Sequence, residues 1–249
     1  MLNIYCYNSE NELGSQYIIN KLNDIDIKCN IVCSIKKTND INYKDHEKIY
    51  KSIINSNIYN ALYLSYDHSI SIASISAMMN VYPNLFVIWI DIDPYINISA
   101  EINNKNVISH LTGIEKIKFD WIKNYLNFDK IVYFGINNIS DNQKIYLDSK
   151  NIKYFTSNSI SIKTIKTIVN EILVLVNDNP IHISFNINAI SSLYIDSSLS
   201  NSEKGIDLIT TRYLFESLKH IVSLDIVGFD PLIGNSEKSI NNLIDLITE

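Results

Sequence analysis

Leu62–Asn97 reads LYLSYDHSISIASISAMMNVYPNLFVIWIDIDPYIN. Its opening residues continue a strand that begins at Tyr59, ends at Ser65 and delivers Asp67-His68-Ser69. Ser69–Met79 carries Ile72, Ile75 and Met79 at helical spacing, and the intervening Ser and Ala residues permit close packing. Leu85–Ile90 is a near-continuous apolar run that stops at Asp91, as expected of a parallel strand buried on both faces. Strand, helix and parallel strand in this order bring two strand ends to one sheet edge, where α/β proteins build metal and catalytic sites. His68 from the first end would there meet Asp91, Asp93 and Tyr95 from the second.

Toward the N-terminus the same alternation continues. Leu2–Tyr7 is strand-like and Glu12–Leu22 helical; Asn30–Ile35 is a second strand, and Asp45–Ile54 a helix with Ile49, Ile53 and Ile54 on one face. Toward the C-terminus, Ile98–Thr112 is a polar, irregular connection of the kind that carries function, and Ile114–Leu126 is expected to be helical. Lys130–Gly135, Ile152–Phe155, Ile181–Ile187 and Val222–Val227 read as strands. Helices are expected after the polar Asn137–Asn142, and over Ile162–Val176, Asp207–Lys219 and Glu237–Ile247, with Ser191–Glu203 irregular. About eight strands alternate with helices and no neighbours are joined by a hairpin signal. The fold class is therefore α/β: a three-layer α/β/α arrangement around a parallel sheet of about eight strands, in a single domain over residues 1–249.

Composition narrows the function. The chain has 249 residues, of which 46% are hydrophobic and 19% charged, enough apolar side chain for a substantial core. A formal net charge of -6 without a long acidic block disfavours broad phosphate binding, so nucleic acid is not an expected partner. Arg212 is the only arginine, which leaves almost nothing for bidentate recognition of carboxylate or phosphate. Six glycines and four prolines form neither a GxGxxG nor a Walker pattern. Cys6, Cys29 and Cys33 read as reduced, buried thiols, and no second Cys/His pair completes a metal clip. No basic leader opens the chain and no apolar run approaches the ~20 residues of a membrane span, so a cytoplasmic location and no membrane association are expected.

Tyr66–Ser76, YDHSISIASIS, resembles the Gly-Gly-Asp-His-Ser-Leu-Ala-Ile-Gly-Ser-Ile motif of the arginase/agmatinase (ureohydrolase) family. Trp89–Asn97 resembles that family's Trp-Val-Asp-Ala-His-Thr-Asp-Ile-Asn without a gap. His182–Ala189, HISFNINA, is similar to His-Leu-Ser-Phe-Asp-Val-Asp-Ala, and Leu224–Pro231, LDIVGFDP, to Leu-Asp-Ile-Met-Glu-Val-Asn-Pro. Ile131–Ile136 is similar to the strand before the family's substrate loop, and Gly135–Phe155 aligns there without insertion. These blocks keep their order from Leu62 onward; the first sixty residues match poorly.

The resemblance implies two Mn²⁺ ions held by two histidines and four aspartates, with a metal-bridging hydroxide that attacks a guanidinium carbon and releases urea. In this chain His68 matches the first histidine and Asp91 a bridging aspartate. Asp93 replaces the second histidine, Tyr95 an aspartate, and Asn186 and Asn188 the remaining two. Two ions bring a charge of about +4 against the carboxylates of Asp91 and Asp93 alone, and amide oxygens are weak ligands for hard cations. Asn138, Ser140 and Gln143 stand where arginases read the amino-acid end of their substrate. Thr210 falls near the expected position of the guanidinium-orienting glutamate, and His110 near that of the proton-shuttle histidine.

The resulting expectation is an arginase-like protein with a degenerate manganese site, catalytically inactive and retained for a structural, interaction or regulatory role. It would use no cofactor and would assemble as a homo-oligomer, trimer or hexamer by family resemblance, with a protein partner the sequence does not identify. The rival is a hydrolase of guanidino or amidino C–N bonds that keeps one Mn or Zn ion at His68, Asp91 and Asp93. As side chains alone, His68 reads equally as a ligand or as a hydrogen-bonded strand-end histidine, and Asn186 and Asn188 as a neutral network with the aspartates. Asp91 and Asp93, two apart on a strand, would share one side and repel unless bridged. Tyr95 would fill the emptied cavity with its hydroxyl on Asp91, and His46, His182 and His220 are expected to be structural or exposed.

Overall fold

In a computed structural model, residues 1–8, 13–38, 43–96, 106–162, 164–200 and 202–248 are described. The strands are β1 (Leu2–Asn8), β2 (Cys29–Lys36), β3 (Ala61–Ser65), β4 (Phe86–Ile90), β5 (Ile131–Ile136), β6 (Lys153–Thr156), β7 (Ile181–Asn186) and β8 (Ile221–Val227). The helices are α1 (Gly14–Asp24), α2 (Lys44–Ser56), α3 (Ile70–Val81), α4 (Val107–Leu111), α5 (Asp141–Ser149), α6 (Ser157–Ile162), α7 (Ile165–Val176), α8 (Leu208–Ser217) and α9 (Ser236–Thr248). One eight-stranded sheet runs β2-β1-β3-β8-β7-β4-β5-β6, and each neighbouring pair is parallel.

Both faces of the sheet are covered, which is why the strands read as apolar runs. Leu62, Leu64, Phe86, Ile88, Ile90, Ile183 and Phe185 pack with α1, α7, α8 and α9. Tyr63, Val87, Trp89 and Tyr133 pack on the other face with α2, α3 and α4. Period-2 alternation then fixes the exceptions. Because Ile181, Ile183 and Phe185 face α7–α9, the intervening His182, Ser184 and Asn186 turn toward α3. Ser223 and Asp225 on β8 do the same. Helix α3 crosses β3, β7 and β8, and every residue from Ile70 to Met79 is buried.

In secondary structure the chain departs from the sequence-based expectation in two places. Residues 114–126 form turns and extended chain, not a helix. Here Phe119 stacks on Trp121, while Ile122 and Leu126 enter the α2–α3–α4 core, so tertiary packing of aromatic and β-branched side chains overrides a weak helical pattern. The long helix expected over 162–176 is divided, because Thr164 has extended backbone angles (φ -66°, ψ 135°) and starts α7 afresh. Of the connection expected over 98–112, residues 98–105 lie outside those described; the remainder contains α4. Cys6 is buried as expected, whereas Cys29 and Cys33 on edge strand β2 are half-buried; all three are free thiols. No described helix is long and apolar enough to cross a membrane.

Candidate functional site

At the C-terminal ends of β3, β4 and β7 the polar residues form one buried group. His68 follows β3 and stacks on Trp89 with ring centroids 4.1 Å apart; Tyr95, from the β4 exit, meets it edge-on at 5.0 Å. His68 Nε2 lies 2.7 Å from Asp91 Oδ2, and both side chains are fully buried. Among the described residues Nε2 has no hydrogen bond of good geometry. Asn186 Nδ2 donates to the same Asp91 oxygen at 2.9 Å, and Asn186 Oδ1 accepts from the Asn188 backbone N–H at 3.1 Å. Asn188 Oδ1 is buried without a partner among the described residues.

Strand alternation stops at Ile90, so Asp91 and Asp93 do not continue it as the sequence spacing suggests. The chain bends, and the Asp93 backbone N–H donates to Asp91 Oδ1 at 3.0 Å. Trp89 Nε1 donates to the Asp93 carbonyl at 3.2 Å, which fixes the bend. Tyr95 has a left-handed backbone (φ 47°), and its ring lies 5.5 Å from Trp89 as well as against His68, so it fills this space by ring packing. Burial, reinforced by Asp91 and Asp93, raises the Tyr95 hydroxyl far above its ordinary value and keeps it neutral. Among the described residues no group of three His, Cys, Asp or Glu side chains is arranged to hold an ion.

Behind His68 the polar group extends through the core. Ser184 Oγ lies 3.0 Å from His68 Nδ1, and Ser71 Oγ 2.9 Å from Ser184 Oγ. Ser71, Ser74 and Ser184 donate to Asp225 Oδ2 at 2.6, 3.1 and 3.2 Å. His182 Nε2 stands 3.0 Å from the same oxygen, also without directed geometry, and its Nδ1 bonds Ser223 Oγ at 2.7 Å. Burial works to raise the Asp225 carboxyl, yet His182 and the hydroxyls together outweigh it and hold Asp225 below the usual carboxylate range. Three hydroxyls on Oδ2 offset the cost of burying this carboxylate, while Oδ1 has no partner among the described residues. On the outer side, Lys37 Nζ and Asp67 Oδ2 pair at 2.6 Å; burial opposes ionisation of Asp67, and Lys37 reverses the effect.

The remaining sequence candidates do local work. Ser140 caps α5 in a reciprocal box with Gln143, and Gln143 Nε2 donates to the Ile96 carbonyl at 3.3 Å. The Asn138 backbone N–H donates to Ile92 O at 2.8 Å, so this segment does flank the β4 exit. Thr210 binds Asp207, the N-cap of α8, through its backbone N–H and hydroxyl at 2.7 and 2.6 Å. His110, on α4, is buried against Phe119 (4.8 Å) and Tyr43 (5.5 Å).

Sequence reasoning missed Ser71, Ser74, Ser184, Asp225 and Gly228. The signal for the first four was polar residues at period 2 in strands otherwise apolar throughout, facing serines one helical turn apart. Gly228 stands opposite the glutamate of the Leu-Asp-Ile-Met-Glu-Val-Asn-Pro motif. Its backbone is left-handed (φ 88°), and a Cβ there would lie 2.4 Å from Asn186 Oδ1, so no side chain fits beside Asn186 as placed.

A family model described as "Arginase family" matches residues 3–249. The arginase of Plasmodium berghei is 33% identical over 190 residues, covering 70% of this chain and 54% of that protein. An arginase of Staphylococcus aureus (strain COL) is 27% identical over 219 residues, 84% of this chain and 72% of that one. The chain spans about half the length of the Plasmodium arginases it matches. The crystal structure of Entamoeba histolytica arginase in complex with L-ornithine superimposes with a TM-score of 0.83 at 20% identity, over 99% of this chain and 98% of that one.

Proposed function

The chain belongs to the arginase family, and from that membership we propose that it is a catalytically inactive member whose two-manganese centre has degenerated, retained for a structural, interaction or regulatory role. The observation that carries this reading is Asn186 donating its amide N–H to Asp91. Where the resemblance calls for a second carboxylate, a neutral amide stands and donates to Asp91, so position 186 adds no negative charge to the site. Two divalent ions do not fit this donor set, because amides at 186 and 188 and a phenol at 95 leave most of the positive charge uncompensated in a buried site. Thr210 supplies no carboxylate for a substrate guanidinium, and its hydroxyl is engaged by Asp207. The role fits a self-assembling protein, supported by Ile209 and Tyr213, exposed one turn apart on α8; light scattering of the purified chain tests this.

Metal analysis after purification in manganese, with urea release measured from arginine and agmatine, tests the main claim. Sub-stoichiometric metal and no turnover are expected; stoichiometric Mn²⁺ with turnover would overturn it.

One observation favours a second reading. His68 Nε2 lies 2.7 Å from Asp91 Oδ2 and makes no hydrogen bond among the described residues, which leaves its lone pair available to an ion. A single-ion hydrolase built on His68, Asp91 and Asp93 would gain thermal stability from Mn²⁺, Zn²⁺ or Co²⁺, and Asp91→Ala would abolish the gain. The absence of any shift removes this reading.

A further inference from the structure

His46 on α2 and His110 on α4 lie in an aromatic cluster that the site does not use. Tyr43, whose backbone is left-handed (φ 55°) where α2 begins, sits 4.7 Å from His46 and 5.5 Å from His110. Tyr7 closes on His46 at 4.8 Å, and Phe119 on both His110 and Tyr43 at 4.8 and 4.9 Å. Both histidines are buried, and among the described residues none of their four ring nitrogens has a hydrogen-bond partner. Neutral imidazoles are accepted in such a cage, since each behaves as an aromatic ring with one unsatisfied N–H. An imidazolium would need a carboxylate.

The carboxylates that face His46 are already engaged. Asp67 and Asp45 attract a charge on His46, whereas Lys37 and His110 oppose it. Asp67 is already paired with Lys37, and Asp45 with Lys48 and Thr38. Around His110, burial and Lys118 oppose a charge and the Ile117 backbone favours one, with burial the larger effect. Glu115 faces Tyr43. The cluster also joins the site: Asp67 precedes His68, and the Ile108 backbone N–H on α4 donates to the Tyr95 carbonyl at 3.0 Å.

We infer that His46, Tyr43 and His110 form an acid-released clasp that closes the start of α2 against α4 and residues 113–122, beside the His68–Asp91 pair. Burial is the dominant cause that brings both histidines down to about 4 in the closed form. The sign follows from linkage: above the ordinary histidine value near 6.5 neither form is favoured by protons, and as pH falls toward 4 the open form binds them first. At pH 5 the closed form is disfavoured by about thirtyfold for each histidine, and by about a thousandfold when both act.

Hydrogen–deuterium exchange of the intact chain at pH 7.5 and 5.0, corrected for intrinsic rates, reads this directly. Peptides over 43–50 and 106–122 are expected to lose protection at pH 5.0 while α9 keeps its own. His46→Phe with His110→Phe suppresses that loss, and His220→Gln, at an exposed position, leaves it unchanged. Uniform loss, no loss, or loss undiminished in the double variant overturns the inference. Should that variant fail to fold, histidine-ring NMR of the unmodified chain decides: both rings stay neutral until the peptides open, and titration of either at its ordinary value in the closed form refutes the clasp.

Discussion

Asn186→Asp restores a carboxylate where the family has one, and in a metal-free chain it should destabilise the fold. The replaced amide nitrogen lies 2.9 Å from Asp91 Oδ2, so two ionised carboxylates at that separation would repel by about 6 kcal/mol at an effective dielectric constant of ~20. Protonating one of them is cheaper. Holding an aspartic acid neutral at pH 7, against an ordinary pKa near 3.9, costs about 4 kcal/mol, and a neutral acid can still donate to Asp91. The lesser cost sets the expected loss, which for a chain of this length lowers Tm by about 10 °C. The introduced carboxyl is raised in the folded state, so the variant should match the parent below about pH 4 and fall behind as pH rises to 7. Thermal and urea denaturation in chelator-treated buffer at pH 4.5 and 7 measure the gap. A loss under about 1 kcal/mol at pH 7, or one that shrinks as pH rises, would refute the geometry of the Asn186–Asp91 pair.

Asp225→Asn leaves Ser71, Ser74 and Ser184 donating toward an uncharged group and sets an amide N–H among them; urea denaturation should register a loss of about 1–3 kcal/mol. Because the Asp225 carboxyl is held low, it stabilises the parent above the ordinary aspartate value and the effect disappears as pH falls, so the gap between parent and variant should narrow in acid. Gly228→Ala forces a left-handed alanine and pushes Asn186 off Asp91; about 1–3 kcal/mol of destabilisation is expected, checked by thermal melting.

The sheet was legible from the sequence because its strands are apolar on both faces and end abruptly in polar residues, as at Ile90–Asp91. Residues 114–126 were not, since what places Phe119 and Trp121 is the aromatic cluster contributed by α2 and α4, which no local window contains. In the site, His68, Asp91 and Asn186 were found together from their motifs, and the structure brings them into contact. The Asp91/Asp93 pairing was misjudged because period 2 was extended past the end of β4, where Trp89 Nε1 and the Asp91 side chain capture the backbone of Asp93. Ser184 and Asp225 were overlooked because residues 41 apart in the chain meet only through the β7–β8 register.

The order of the sheet also dictates when this molecule can be assembled. Strand β8, near the end of the chain, is inserted between β3 and β7, and β7 in turn separates β8 from β4. A nascent chain that has reached β6 therefore holds two incomplete sheets, β2-β1-β3 and β4-β5-β6, each with a bare central edge. Nothing joins them until residues 181–227 arrive, so the closure entropy of the longest loops falls due last. Ribosome stalling or truncation before Ile221 would present β3 as an open strand edge, the surface that chaperones or a second incomplete chain would find.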